Sequence, residues 1–217
     1  MHKITTIGME TDVLAENRKL AQDNLRLLRS KSVKSVDVMG SIGSGKTALI
    51  VQMAKALMGR GKRVAVIAGD VTGEDDYTIF RKAGLPAVNL NTGKECHLDA
   101  HLVEHALEDV ELDSLDFLFI ENVGNLVCPA DFPLGTDARV VVISPTEGDD
   151  MINKHPMIFL EADVAVLNKI DLLKVLDVDV DRLKRDYARI RKNGVLHQTS
   201  AKTGEGVPEL LNALHLF

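Results

Sequence analysis

Gly40-Ser41-Ile42-Gly43-Ser44-Gly45-Lys46-Thr47 decides how the rest of this chain is read. It fits G-x-x-x-x-G-K-[ST], the phosphate-cradling P-loop pattern. Gly40, Gly43 and Gly45 lack Cβ, so the backbone can turn tightly and aim successive N–H groups, those of Ser41 and Ser44 included, at anionic oxygens. Lys46 supplies a point charge for the terminal phosphates, and the Thr47 hydroxyl is placed to ligate Mg²⁺. The order of elements supports the pattern. Ser35 to Met39 reads as a short buried strand before the loop, and Ala48 to Met58 as a helix after it, closed by Gly59 and Gly61.

Outward from that loop, strands and helices alternate. Strands are expected at Arg63 to Ala68, Ala87 to Leu90, Asp116 to Glu121, Arg139 to Ser144, Asp163 to Leu167 and Val195 to Thr199. The alternation predicts an α/β P-loop fold, a mostly parallel sheet with helices on both faces. Helices are expected at Tyr77 to Ala83, Asp177 to Lys192 and Glu209 to Leu216. Ahead of this, Leu14, Ala21, Leu25 and Leu28 recur at helical spacing behind Thr11 or Asp12 as N-cap, an amphipathic helix outside the nucleotide core. The expected division is 1–34 as an N-terminal extension and 35–217 as the nucleotide domain.

Composition narrows the function classes. The 217 residues are 45% hydrophobic, and the formal net charge is −6. No field favours nucleic-acid phosphates. No apolar run approaches the ~20 residues of a membrane span, and no leader pattern opens the chain, so a cytoplasmic home is expected. The 2 cysteines, Cys96 and Cys128, do not make a disulfide framework.

Several strand ends carry chemistry. In open parallel sheets ligands sit beyond the carboxyl ends of the strands. Asp70 ends the second strand and Asp76 follows it, candidates for the Mg²⁺ shell or the attacking water. Glu121 ends an apolar strand in the manner of a Walker B acid, and Gly124 could bring its N–H to a γ-phosphate. Asn168-Lys169-Ile170-Asp171 at a strand end is a guanine reader, because a carboxylate accepts from both N1–H and the exocyclic amine of guanine. Ser200-Ala201-Lys202 could touch the guanine oxygen through its backbone.

A second unusual segment runs from Asn91 to His101 and is expected to open a helix to about Asp109. On that helix His97, His101 and His105 would share one face. Cys96 with His97 offers thiolate and imidazole, a pair suited to Zn²⁺ or Ni²⁺. Taken alone, such a dipeptide is more often a buried thiol beside a helix-end histidine.

With these stretches aligned, the chain resembles the HypB family, GTPases that assist nickel insertion into [NiFe]-hydrogenase. The likeness rests on GSIGSGKT, Gly69-Asp70, NTGKECHLDAH from Asn91, ENVGNLVCPADFPLG from Glu121, TEGDD from Thr146, NKID and SAKTGEG, and spans nearly the whole chain. It implies the dimerising class of P-loop GTPases. It also implies a metal site of Cys96, His97 and Cys128 shared across a homodimer interface, and hydrogenase maturation proteins and the hydrogenase large subunit as partners. GTP, GDP, Mg²⁺ and Ni²⁺ or Zn²⁺ are the implied ligands. Many bacterial members carry an N-terminal cysteine cluster or a His-rich tract; this sequence has neither, so tight nickel storage is not expected. Rival readings are a urease-accessory-like nickel GTPase, a guanine-nucleotide switch with buried thiols and no metal role, and a P-loop kinase, which the guanine reader argues against.

Overall fold

The computed structural model describes residues 3–217, with side chains from residue 12 onward. Seven strands form one sheet: β1 Lys34–Gly40, β2 Val64–Asp70, β3 Ala87–Asn91, β4 Phe117–Glu121, β5 Ala138–Ile143, β6 Val164–Leu167 and β7 Leu196–Gln198. Their order is β3-β2-β4-β1-β5-β6-β7, and each adjacent pair is parallel. β1 therefore lies between β4 and β5, where the strand order reverses direction. All seven carboxyl ends point to one edge, and that edge carries the candidate residues.

The helices are α1 Lys3–Ser30, α2 Lys46–Met58, α3 Asp75–Lys82, α4 Ala100–Glu108, α5 Met151–Lys154, α6 Pro156–Glu161, α7 Val180–Ile190 and α8 Val207–Ala213. Pro156 disfavours helical backbone at the residue before it, and the chain breaks at His155 between α5 and α6. The sheet is covered on both faces. Val36 and Val38 pack toward α2 and α8, whereas Met39 packs toward α6 and α7. The same period-2 alternation sends Ala65, Ile67, Leu118 and Ile120 to the face covered by α1 and α4.

Two expectations about helices are corrected. α1 begins at Lys3, not after Thr11 or Asp12. No proline interrupts residues 3–10, so nothing forces the helix to start at the later capping pattern; the Thr11 side chain lies outside the described residues. Among the described side chains of α1, the buried ones are Asn17, Ala21, Asn24 and Leu28, two of them polar. Asn17 Nδ2 donates to the carbonyl of Pro133 at 3.0 Å, and its Oδ1 accepts from Ala100 N at 2.8 Å. Asn24 Nδ2 donates to the carbonyls of Ala100 and Leu134 at 2.8 and 3.0 Å. Ala100 opens α4, so Asn17 satisfies an N–H that the helix itself cannot.

The second correction concerns the histidine stripe. α4 starts at Ala100, because Asp99 in extended conformation caps it by accepting from Leu102 N at 2.8 Å. His97 therefore precedes the helix. Only His101 and His105 share the helical face.

Candidate functional site

The P-loop leaves β1 and enters α2 at the switch point of the sheet. Gly40 has φ 146°, and a Cβ there would stand 2.1 Å from the Val142 carbonyl oxygen, so only glycine fits against β5. Lys46 is buried and donates from Nζ to the Ser41 carbonyl at 3.2 Å. Burial pulls its pKa down, opposed by the charges of Glu121, Asp76, Glu147 and Asp70. Ser44 Oγ closes the loop on the Ser41 carbonyl at 2.9 Å, and Ser41 Oγ donates to Glu147 Oε2 at 2.5 Å.

Two acids meet at Thr47, with Asp70 near enough for its charge to act on Glu121. Thr47 Oγ1 lies 2.7 Å from Asp76 Oδ1 and 2.8 Å from Glu121 Oε1. One hydroxyl proton serves only one of these at a time. Glu121 Oε2 is buried and has no hydrogen-bond partner among the described residues. Burial, then the Asp76 charge, pushes the Glu121 carboxyl up to about 8, with Lys46 and the Thr47 hydroxyl opposing. Asp70 ends β2 and accepts from Val71 N at 2.6 Å. An orphaned oxygen, a hydroxyl held between two carboxyls and oxygen ligands alone fit a hard divalent cation such as Mg²⁺.

The base-reading loops pack on the P-loop in an unexpected way. Asn168 is fully buried with both ends engaged: Nδ2 donates to the Ser44 carbonyl at 3.0 Å, and Oδ1 accepts from Thr199 Oγ1 at 3.1 Å and Ala201 N at 3.0 Å. It binds the loops to one another. Lys169, with φ 60°, donates from Nζ to the Gly43 carbonyl and so lies across the P-loop. Asp171 Oδ1 accepts from Ser200 Oγ at 2.6 Å at the rim. The Ser200 N–H is spent on the Glu205 carbonyl at 2.9 Å, and the Ala201 N–H on Asn168. Of the three backbone donors expected at the guanine oxygen, that turns attention to Lys202, which is exposed.

The thiol segments meet at the same edge. The donor atoms of Cys96, His97 and Cys128 all lie within 4.8 Å of one another. Cys96 Sγ donates to Cys128 Sγ at 3.0 Å, and Cys96 Sγ is 3.9 Å from His97 Nδ1. The shared thiol proton, then partial burial, holds the Cys96 thiol above its ordinary pKa. Burial lowers the His97 pKa, favouring the neutral ring that a metal requires. The His97 ring packs on Phe132 at 4.0 Å between centroids.

Asn125, to which the sequence assigns no role of its own within the ENVGNLVCP stretch, ties this centre to the P-loop. Its N–H donates to the Gly40 carbonyl at 3.0 Å. Its Nδ2 donates to the Cys96 carbonyl at 3.2 Å, and its Oδ1 accepts from Val127 N at 2.8 Å. Beside it, a Cβ on Gly124 would stand 2.4 Å from Ile42 Cγ1, so the segment lies directly on the loop. Glu147 is likewise assigned no role by the sequence, although Ser144-x-x-Glu147 is a capping-box spacing and the box forms.

The sequence profile described as CobW/HypB/UreG, nucleotide-binding domain, matches residues 35–198. The "Probable hydrogenase maturation factor HypB" of Methanocaldococcus jannaschii is 50% identical over 211 residues, covering 97% of this chain and 95% of that protein. The crystal structure of HypB from Archaeoglobus fulgidus is 43% identical, with TM-score 0.84, covering 93% of this chain and 98% of that one. HypB from Helicobacter pylori, solved in complex with nickel, is 31% identical with TM-score 0.87, covering 93% and 94%.

Proposed function

Because the chain belongs to the CobW/HypB/UreG family, and within it to the HypB hydrogenase maturation factors, we propose that it is a GTP-hydrolysing switch. In this reading it carries nickel as cargo and assists its insertion into [NiFe]-hydrogenase. The observation that carries this is the convergence of Cys96, His97 and Cys128 within 4.8 Å, on segments that Asn125 ties to the P-loop. A related protein solved with nickel makes nickel the first candidate ion. Thiolate and imidazole take zinc as well.

The P-loop amides and Lys46 hold the phosphates, with Lys46 drawn away from the Ser41 carbonyl. Thr47, Asp70, Asp76 and Glu121 would hold Mg²⁺, which supplies charge neutralisation at the β- and γ-phosphates. Asp70 and Asp76 divide between its water shell and the attacking water. Asp171 reads guanine, Lys169 lies along the base, and Asn168 holds their loop against the P-loop rather than touching the ligand. Hydrolysis is expected to be slow, on the order of 10⁻³ s⁻¹ or less, as for switch GTPases without a helper arginine.

One chain offers two thiols and one imidazole, while such ions usually take about four donors. A second copy related by a two-fold would complete the set. Ile42 and Val127, 84% and 60% exposed beside the centre, suit a face that another chain covers. We assign residues 35–217 to the GTPase domain and 1–34 to an N-terminal extension with an amphipathic helix. Hydrogenase maturation proteins and the hydrogenase large subunit are its partners in the cytoplasm. No described helix is long and apolar enough to cross a membrane.

The test is molar mass by light scattering and nickel affinity by titration, each with a GTP analogue and with GDP. The GTP state is expected to favour the dimer. Equal mass and equal affinity in both states would remove the switch. Unchanged turnover in Lys46→Ala would show that the P-loop is not the hydrolytic site.

A further inference from the structure

Gln52 has no role in the function proposed above. It lies on α2, the helix that Lys46 opens, and is half-buried. Its Nε2 donates to the carbonyl of Ala201 at 2.9 Å, across 149 positions of the chain. Ala201 sits in the apolar cluster that also holds Leu49, Ile50 and Met53 of α2. Its two backbone polar groups are shut off from water and need partners within the protein. Asn168 takes the N–H at 3.0 Å, and Gln52 takes the carbonyl. Ala201 is pinned from both sides.

The consequence falls on the next residue. The Ala201 carbonyl and the Lys202 N–H belong to one peptide unit, and that unit is trans, so the two point in opposite directions. With the carbonyl drawn toward α2, the Lys202 N–H is turned away from it, and it has no hydrogen-bond partner among the described residues. The turn around it is held as well. The Ser200 N–H donates to the Glu205 carbonyl at 2.9 Å, and the Gly204 N–H to the Ser200 carbonyl at 2.8 Å. Ser200 Oγ donates to Asp171 Oδ1 at 2.6 Å, which fastens this turn to the base-reading carboxylate.

We propose that Gln52 is a positioning residue for base selection: it orients the Ala201–Lys202 peptide so that the Lys202 N–H donates to the ring oxygen of guanine. This deepens, and rests on, the reading of Asp171 as the group that accepts from guanine. Adenine carries an amine where guanine carries that oxygen, so the same N–H would meet a donor. The contact therefore rejects adenine as well as favouring guanine. Placement on α2 adds a second effect. Lys46 and Gln52 lie about 9 Å apart along one helix axis, so the phosphate lysine and the base-reading turn are held at a fixed span.

The experiment measures binding of GDP, ADP, inosine diphosphate and thioguanosine diphosphate, in which sulfur replaces the guanine oxygen. The full chain is compared with Gln52→Met and Gln52→Glu. Methionine keeps the length without a donor, and glutamate keeps the shape but sets a carboxylate against the Ala201 carbonyl. Sulfur is a poor acceptor, so the unaltered chain should favour GDP over the thio analogue about tenfold. In Gln52→Met that ratio should approach unity, and the preference for GDP over ADP should fall by a similar factor. Gln52→Glu should lose at least as much. The ratio of GDP to inosine diphosphate, which reports the amine that Asp171 accepts, should stay as it was.

NMR of the unaltered chain gives a second arm that needs no variant. The Lys202 amide signal should move downfield with GDP and move less with the thio analogue. A thio ratio untouched by Gln52→Met, or a Lys202 amide indifferent to the change from oxygen to sulfur, overturns the proposal. An equal loss for all four nucleotides in Gln52→Met marks a bond that only stabilises the turn, and overturns it too. Should the variants fail to fold, the amide signal alone decides. Equal affinity for GDP and ADP in the unaltered chain removes the guanine reading and this proposal together, whereas a guanine preference that survives Gln52→Met in full removes only the role of Gln52.

Discussion

Asp37 of β1 and Arg139 of β5 stand opposite each other in register, with Oδ2 3.5 Å from Nε, in the interior of the sheet. Asp37 is fully buried, and burial raises its pKa against the pull of Arg139 and Asn122. The pair reaches both halves of the thiol centre. Asn122 donates to Asp37 Oδ1 at 3.2 Å while its own Oδ1 accepts from Leu98 N at 3.2 Å, next to His97. Arg139 donates to the carbonyl of Pro129, next to Cys128.

Removing one member should therefore cost both stability and metal affinity. Arg139→Met leaves Asp37 buried without its counter-charge, a loss of about 3–5 kcal/mol by denaturant unfolding. The double variant Asp37→Asn, Arg139→Met should recover much of that stability. It should not recover nickel affinity, because the Pro129 anchor is still missing. Equal unfolding midpoints for Arg139→Met and the unaltered protein would refute the pair's role.

Glu121 makes a pH prediction for the protein without nucleotide and Mg²⁺. Its carboxyl titrates near 8 when folded and near 4.5 when unfolded. Between those values the folded state holds the extra proton, so this group's contribution to stability is present at low pH and is lost as pH rises through the window. Each pH unit carries about 1.4 kcal/mol at most. Relative to Glu121→Gln, the unaltered protein should lose Tm steadily from pH 5 to 8, and Mg²⁺ with GDP should reverse the loss. Parallel Tm curves would show that Glu121 is ionised throughout.

Asp171 should set base choice. Losing two hydrogen bonds to a charged acceptor costs roughly 10²–10⁴-fold in affinity, which is the expected preference for GTP over ATP. Asp171→Asn should weaken GTP and favour xanthosine triphosphate, whose C2 oxygen would face an amide donor. Competition binding with a fluorescent nucleotide measures both. Equal affinity for ATP and GTP in the unaltered protein would end the guanine assignment.

Asn125 should couple the two sites. Coupling of about 1–3 kcal/mol would make nickel affinity differ roughly 5- to 150-fold between GTP-analogue and GDP states. Asn125→Ala keeps the thiols and the backbone bond to Gly40 but loses the side-chain bonds to the Cys96 carbonyl and Val127 N. Its two nickel affinities should converge, with GTP affinity held. A ratio as large as that of the unaltered protein would place the coupling elsewhere.

Local pattern determined a good deal of this protein. The P-loop, the acid at the end of β4, the NKID turn and the alternation of strands and helices are each confined to a few neighbouring residues, where backbone preference and side-chain chemistry act together. They fixed the fold class and the edge of the sheet that bears the chemistry. The pairing of Cys96 with Cys128, 32 residues apart, came from family likeness rather than from spacing. Only the tertiary structure decided what joins distant segments: Asn168 turned inward to bind loops, Asn17 and Asn24 fastening α1, Asp37 against Arg139, and Asn125 between Gly40 and Cys96. Buried polar groups must find partners, and those partners are chosen by which strands lie side by side. With β1 between β4 and β5, the P-loop and the Cys128 segment leave the sheet as neighbours, a juxtaposition that depends on strand order and is written in no single stretch of the chain.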